Sequence, residues 1–345
     1  MSTLAVQSPI DRARKLPGWL APLILLVIAY VVLPLLGTNY LFEAILTPFL
    51  ALSLAALGLN LLTGYAGQLS LGSAAFMAVG AFAAYNINLR VPGMPLLGSI
   101  VLAGITAAAI GILFGLPSLR LRGFYLAVAT LAAQFFVEWA LTKFGWFSNH
   151  NPSGVIDAPP LTILGLTFDG PVGRYLFALT IVVVLTTLIH RLVNTQTGHN
   201  FIAVRDNEMA ARVIGVPVLR TKLLAFGLSS FIIGVAGVLW AFAYLRTVEP
   251  AGFNLDRSFQ ILFIIIIGGL ATIRGAFFGA ALIVVFPLLL SRLGSFIFGG
   301  SFDSGVLDMS QHVVLGALII AFLIAEPDGL AALCRRLLKR LPFKI

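Results

Sequence analysis

The sequence predicts an all-α polytopic membrane protein: about ten transmembrane helices, both termini on the cytoplasmic side, and one short cytoplasmic helix. Three observations carry this. Of 345 residues, 59% are hydrophobic and only 10% charged, whereas soluble domains carry about a quarter charged residues. The mean hydropathy of +1.03 makes lipid the solvent for most side chains. Apolar runs of the length needed to cross a hydrocarbon core, about 20 residues, recur along the chain.

The N-terminal tail, residues 1–18, carries Arg12, Arg14 and Lys15. The apolar run 19–36 behind it is too long for a signal-peptide core and reads as an uncleaved first span. Further spans follow near 41–62, 69–88, 97–116 and 123–141, and after a polar stretch near 174–193, 221–243, 258–272, 275–296 and 311–325. The eighth and ninth are separated only by Ala271–Gly275, so two full crossings and a tight re-entrant pair both remain open. The whole chain, 1–345, reads as one membrane domain. Its larger connections are 142–173 outside and 194–220 inside, with a cytoplasmic tail at 326–345. The 142–173 loop is either a small ordered cap or a flexible connection.

Charge distribution sets the orientation. With an even span count and an inner N-terminus, the N-terminal cations, those between Arg191 and Lys222, and the Arg335–Lys344 cluster all fall inside. Few remain outside, as the positive-inside rule requires. An odd count would export the C-terminal cluster. The net charge of +9 is scattered among apolar spans without a continuous basic face, so it reads as contact with anionic headgroups and not with nucleic acid. The lone Cys334 excludes an internal disulfide and a cysteine-based metal cluster. The 34 glycines include many inside spans, where small residues let helices approach closely. Two glycine-rich breaks, Gly64–Gly72 and Gly268–Gly275, stand out.

Several chemistries lack their residues. No glycine precedes a lysine, so the chain has no phosphate-binding loop of the Gly-Lys-Ser/Thr kind. His150, His190, His199 and His312 show no metal-ligand spacing and no nucleophile partner, which argues against a metal, a cofactor or an enzyme. Ion-coupled carriers bury charge near helix centres. Here Glu138 is the best such candidate, and a carboxylate reaching the outer interface accounts for it. A self-sufficient secondary transporter is the alternative that such a group would favour.

The segment Gly198–Lys222 reads GHNFIAVRDNEMAARVIGVPVLRTK. Asp206 or Asn207 can cap a helix by accepting free backbone N–H bonds. Glu208–Ile214 are mostly helix formers, Gly215 is a left-handed stop, and Pro217 prevents continuation. Two readings stay open: an amphipathic helix resting on the membrane, or a docking helix whose alanines admit a partner.

At this segment the sequence resembles the coupling loop of ATP-binding-cassette importer permeases, in the branched-chain amino-acid (LivM/LivH-like) family. That loop carries a Glu-Ala-Ala-x-x-x-Gly pattern. Here Ala210, Ala211 and Gly215 keep it, and Glu208 stands one residue upstream of the usual place. Three more stretches resemble the same family: GLNLLTGYAGQLSLGSAAFMAVG at 58–80, LRLRGFYLAVATL at 119–131, and GFNLDRSFQILFIIIIGGLATIRGAFFG at 252–279. Their order also matches, and the length resembles the longer, LivM-type permease. Two departures are Phe124, where an acidic or polar residue is common, and the Glu326-Pro327-Asp328 tail, where basic residues usually flank the proline.

The resemblance implies a permease subunit in the bacterial inner membrane, without catalysis of its own. It would pair with a second, homologous permease above two ATPase subunits. A periplasmic binding protein would deliver branched-chain amino acids, or related solutes such as amides or urea. Arg205, Asp206, Asn207, Glu208, Ala210, Ala211 and Gly215 would then couple to the ATPases. Asn60, Gln68, Ser70, Tyr125, Thr130 and Gln134 are candidates for the pathway, because polar groups in spans turn from lipid towards protein or water. Hydrogen bonds between helices are the competing account of each.

Overall fold

The computed structural model describes residues 20–119, 123–151, 154–163, 166–298 and 329–340, with isolated positions between 313 and 324. The N-terminal cations, Arg120, Arg122 and most of the predicted span 311–325 lie outside the described residues. Helix α1 covers 20–36, and α2 is Leu41–Tyr65. Then follow α3 (Ser73–Arg90), α4 (Leu96–Gly115), α5 (Phe124–Lys143) and α6 (Pro171–Val193). Two short helices, α7 (Gln196–Asp206) and α8 (Glu208–Val213), lead to α9 (Val218–Leu245). The chain continues through α10 (Leu255–Gly268), α11 (Ile273–Phe298) and α12 (Leu330–Arg340).

Among the described residues, seven helices are long and apolar enough to cross a membrane, and the apolar Leu23–Leu36 is shorter. Helix α3 is not among the seven; it carries Ser73, Asn86 and Asn88 along its 18 residues. The predicted span 69–88 starts later, at Ser73, because residues 66–72 are irregular. The predicted span 258–272 runs instead from Leu255 to Gly268. It is ended by Gly269 at φ +111° and Ala271 at φ +56°, left-handed conformations that a helix cannot hold. With the 3-10 turn Pro250–Phe253 before it, it makes the 19-residue segment Pro250–Gly268, one of the seven.

Helices α2 and α9 form the centre. Nearly every residue from Leu50 to Leu62 is buried, as is most of 225–243. The peripheral helices keep one apolar face outward: Val101 and Ile105 on α4, Phe135 and Trp139 on α5, Val184 and Leu188 on α6. Lipid is the solvent that suits such faces. Since lipid tails are as apolar as leucine, packing quality holds the centre together. A Cβ on Gly80 of α3 would lie 2.2 Å from the Gly234 carbonyl oxygen of α9, and one on Gly237 would lie 2.0 Å from the Met77 carbonyl. Ser229 of α9 donates to the Gly58 carbonyl of α2 at 2.7 Å. Within α2 and α9, Leu61–Tyr65 and Leu239–Leu245 wind as π-helical turns.

The 142–173 connection is ordered where described. Strand β1 (Ile156–Asp157) pairs antiparallel with β4 (Thr247–Val248), just beyond α9, and β2 (Thr162–Ile163) pairs with β3 (Leu166–Thr167). At the same end Arg90 stacks on Trp146, 3.7 Å from the ring centre, and Asn86 donates to the Phe147 carbonyl at 3.1 Å. These bonds tie the end of α3 to the start of the cap.

Candidate functional site: two helix breaks and a docked helix pair

Helices α7 and α8 occupy the connection between α6 and α9. Asn207 is extended (φ −156°, ψ 103°), which ends α7, and its Oδ1 accepts from Met209 N and Ala210 N at 3.0 Å each, which starts α8. Gly215, at φ +88°, supplies the left-handed stop, and Val216 N closes the turn on the Ala211 carbonyl at 2.9 Å. The cap and the stop are where the sequence puts them. Helix α7 was not legible there, since Gly198, His199 and Asn200 give no apolar period. A small cluster of Val204, Ala211 and Val218 packs α7, α8 and the start of α9 together.

The charged residues of this pair are engaged within the chain. Glu208 accepts from Lys222 at 3.0 Å and from Arg212 at 3.2 Å, the first pair being largely buried. Arg205 pairs with Asp206 at 2.8 Å, and its Nη1 donates to the Gly64 carbonyl at 2.9 Å. Ala211 is buried and Ala210 exposed. Outward α8 and its C-cap present Met209, Val213 and Ile214, 59%, 85% and 74% exposed, beside the equally exposed Arg212.

Arg205 leads directly to the two glycine-rich breaks, which meet. Asn60, 1% exposed, accepts from Ala271 N and donates to the Thr272 carbonyl, both at 2.9 Å. A Cβ on Gly64 would lie 2.2 Å from Asn60 Oδ1 and 2.5 Å from Ala271 N. A Cβ on Gly67 would lie 2.6 Å from the Arg205 Cγ, and one on Gly329 would lie 2.5 Å from the Gly269 Cα. The end of α2, the turn between α10 and α11, and the docked helix pair thus form one contiguous block.

The other polar candidates serve a helix that begins inside the bundle. Gln134, at the middle of α5, accepts from Ala75 N at 2.6 Å and donates to the Phe253 carbonyl at 2.8 Å. Thr130 accepts from Leu71 N at 2.9 Å, and Ser70 from Gly72 N at 3.4 Å. Ser258 of α10, a residue the sequence reading did not single out, accepts from Ala74 N at 2.9 Å. Gln134, Ser258 and Ser70 satisfy orphan donors at the start of α3, and Thr130 holds the residue just before its N-cap. Gln68 is buried and donates to the Lys222 carbonyl at 3.4 Å. Tyr125 stands apart from all of them, 72% exposed at the start of α5. Trp240 and Arg257 were also missed: the Arg257 guanidinium lies 4.1 Å from the Trp240 ring centre.

Comparison with known proteins agrees with this arrangement. Residues 41–323 match the family model described as a branched-chain amino acid transport system permease component. The chain belongs to this permease family. It is 31% identical over 306 residues to the high-affinity branched-chain amino acid transport system permease protein LivM of Salmonella typhimurium, covering 82% of this chain and 68% of the relative. The archaeal probable LivM of Methanocaldococcus jannaschii is 24% identical over 80% of this chain and 89% of its own length. Matches over about a third of the chain include the L-arabinose permease AraH of Escherichia coli, at 27% identity. No solved structure matches the chain. Both breaks, the helix pair and the capping side chains of α5 lie inside the matched range.

Proposed function

We propose that this permease is the membrane-spanning subunit of an ATP-driven importer for branched-chain amino acids or related small amides. It acts as one unit over the whole chain, with about ten crossings of the bacterial inner membrane and both ends in the cytoplasm. Its partners are two ATPase subunits, a second homologous permease and a periplasmic binding protein. The observation that carries this reading is helix α8, fixed from behind, with three apolar side chains and Arg212 in front. Glu208–Lys222 and Arg205–Gly64 hold it to the bundle, while Met209, Val213 and Ile214 face outward. A membrane-surface helix has no need of buried ion pairs beneath it, whereas a helix that must transmit force does.

On this reading Ala210 and Gly215 allow an ATPase groove to close around the exposed apolar residues, and Asn207 keeps the first turn intact. Arg205, Asp206, Glu208 and Ala211 couple from the inner side. Displacement of α8 pulls on Gly64 through Arg205, and Asn60 carries the displacement to the turn at Ala271–Thr272. Ser70, Thr130 and Gln134 hold the start of α3 near the path of the solute, and Gln68 and Tyr125 line that path.

The test is reconstitution of the complete transporter with Val213→Asp and Ile214→Asp. Burying a side chain of this size is worth about 1.5–3 kcal/mol, so each change should release the ATPases and abolish ATP-dependent uptake, with the thermal stability of the permease unaltered. ATPases that stay bound with uptake unaffected would exclude α8 as the docking helix. Uptake by the permease alone, driven by an ion gradient without ATP, would establish a secondary carrier instead.

A further inference from the structure

Helix α12 differs from the spans in composition. Its residues read LAALCRRLLKR, with four leucines, four cations and no carboxylate. At the helical period the leucines fall on one side and the cations on the other. The start of the helix is fixed to the bundle. Gly329, at φ +76°, meets the turn between α10 and α11 at Gly268 and Gly269, and its carbonyl accepts from Ala332 N and Leu333 N at 3.1 and 3.2 Å. Ala331 and Ala332 are buried, Leu333 and Cys334 half-buried, and Arg335 and Arg336 exposed. The helix therefore leaves the bundle after its first turn. It does so at the end where α2 and α10 stop and where the charged pair α7–α8 is docked, the level at which apolar spans give way to water. Arg274, at the start of α11, is exposed at the same end, and α11 also lacks carboxylates. Glu326 and Asp328 lie outside the described residues.

A helix that is apolar on one side and cationic on the other suits the plane between acyl chains and headgroups. We propose that α12 is an in-plane membrane-surface helix that recognises anionic phospholipid headgroups. Its leucines enter the acyl boundary, and its cations meet phosphate, for which the planar fork of arginine is matched. Charge selects this occupant. A protein groove would cover the leucines equally well, but only an anionic layer gives a use to four cations that the helix itself does not neutralise. Gly329 joins α12 to the Gly268–Gly269 backbone, next to the turn that Asn60 holds. Headgroups that seat α12 therefore also steady that turn. The inference goes beyond the importer reading and needs neither its solute nor ATP.

Cys334 is the single cysteine of the chain and adjoins Arg335, so a bimane fluorophore attached there reports which lipid lies beside α12. The full-length permease is placed in nanodiscs of phosphatidylcholine and phosphatidylglycerol in equal parts, with brominated acyl chains on one lipid or the other. One cation at an anionic surface strengthens association by about fivefold. Quenching should therefore favour brominated phosphatidylglycerol by about fivefold or more, and the preference should shrink in high salt. Arg335→Gln together with Arg336→Gln should bring the two lipids close to parity. Arg335→Lys with Arg336→Lys should keep the preference, which separates lost charge from a lost helix. Equal quenching by both lipids in the native permease, or quenching by neither, would overturn the proposal. The same preference should persist once the proposed ATPases are bound. Loss of quenching by both lipids in that complex would make a protein the occupant of α12 and overturn the lipid assignment, leaving the importer reading intact.

Discussion

Replacing Asn60 by leucine keeps the branched shape and the number of side-chain heavy atoms and removes both of its hydrogen bonds. In the native bundle Asn60 satisfies Ala271 N and the Thr272 carbonyl at 2.9 Å each, in a position only 1% exposed. Leaving a buried donor or acceptor unsatisfied costs about 1–3 kcal/mol. Two such groups at one turn give about 2–6 kcal/mol, reduced where the turn relaxes enough to reach water. Because leucine fills the space, this loss cannot be assigned to a cavity. The assay is equilibrium unfolding of the purified permease in mixed detergent and dodecyl sulfate micelles, followed by circular dichroism. Asn60→Leu should shift the midpoint strongly to lower dodecyl sulfate. Gly64→Ala, whose new Cβ would press on the same Asn60 oxygen, should do likewise, and the two together should cost less than their sum. A leucine variant as stable as the native protein would refute the reasoning, because the turn would then be held by something other than Asn60.

Three further outcomes follow from the packing. Gly80→Val drives side-chain atoms into the Gly234 carbonyl; overpacking of this kind costs about 1–3 kcal/mol or more, and reduced yield and a lower melting temperature in detergent should report it. Lys222→Met leaves Glu208 without its buried cation, at a cost of about 3 kcal/mol. Adding Glu208→Gln should recover part of this, read from the same unfolding curves as a double-mutant cycle. Gln134→Leu strands Ala75 N and the Phe253 carbonyl; proteolysis should become faster near residues 66–72 while the cap around Arg90 and Trp146 stays protected.

How much of this was legible in the sequence depended on whether the governing force is local. The cap at Asn207 and the stop at Gly215 were readable because a side-chain oxygen and a positive φ are properties of a few adjacent residues. Most span positions were readable for the same reason, since hydrophobic length is counted along the chain. The polar residues Asn60, Thr130 and Gln134 were visible as groups that lipid would not accept, but their partners lie 59 to 212 residues away. No local pattern says which backbone donors they meet. The charges of the 205–212 segment mislead for a related reason: a Glu or Arg near a loop reads as solvent-facing, and only the fold brings Lys222 and the Gly64 carbonyl within reach. Ser258 went unremarked because a serine in the first turn of a helix is ordinary. Its importance comes from the start of α3, which approaches it in three dimensions.

The bond between Asn60 and the Thr272 carbonyl joins groups 212 residues apart. At a synthesis rate of about 5–20 residues per second, roughly 10–40 s separate the two on the ribosome. During that interval α2 is already in the bilayer with an amide that hydrocarbon cannot satisfy. Either the insertion machinery shelters it, or α2 waits at the lipid boundary until α10 and α11 arrive. Assembly of this permease is therefore timed by its own translation, and the Tyr65 end of α2 is among the last parts to be completed.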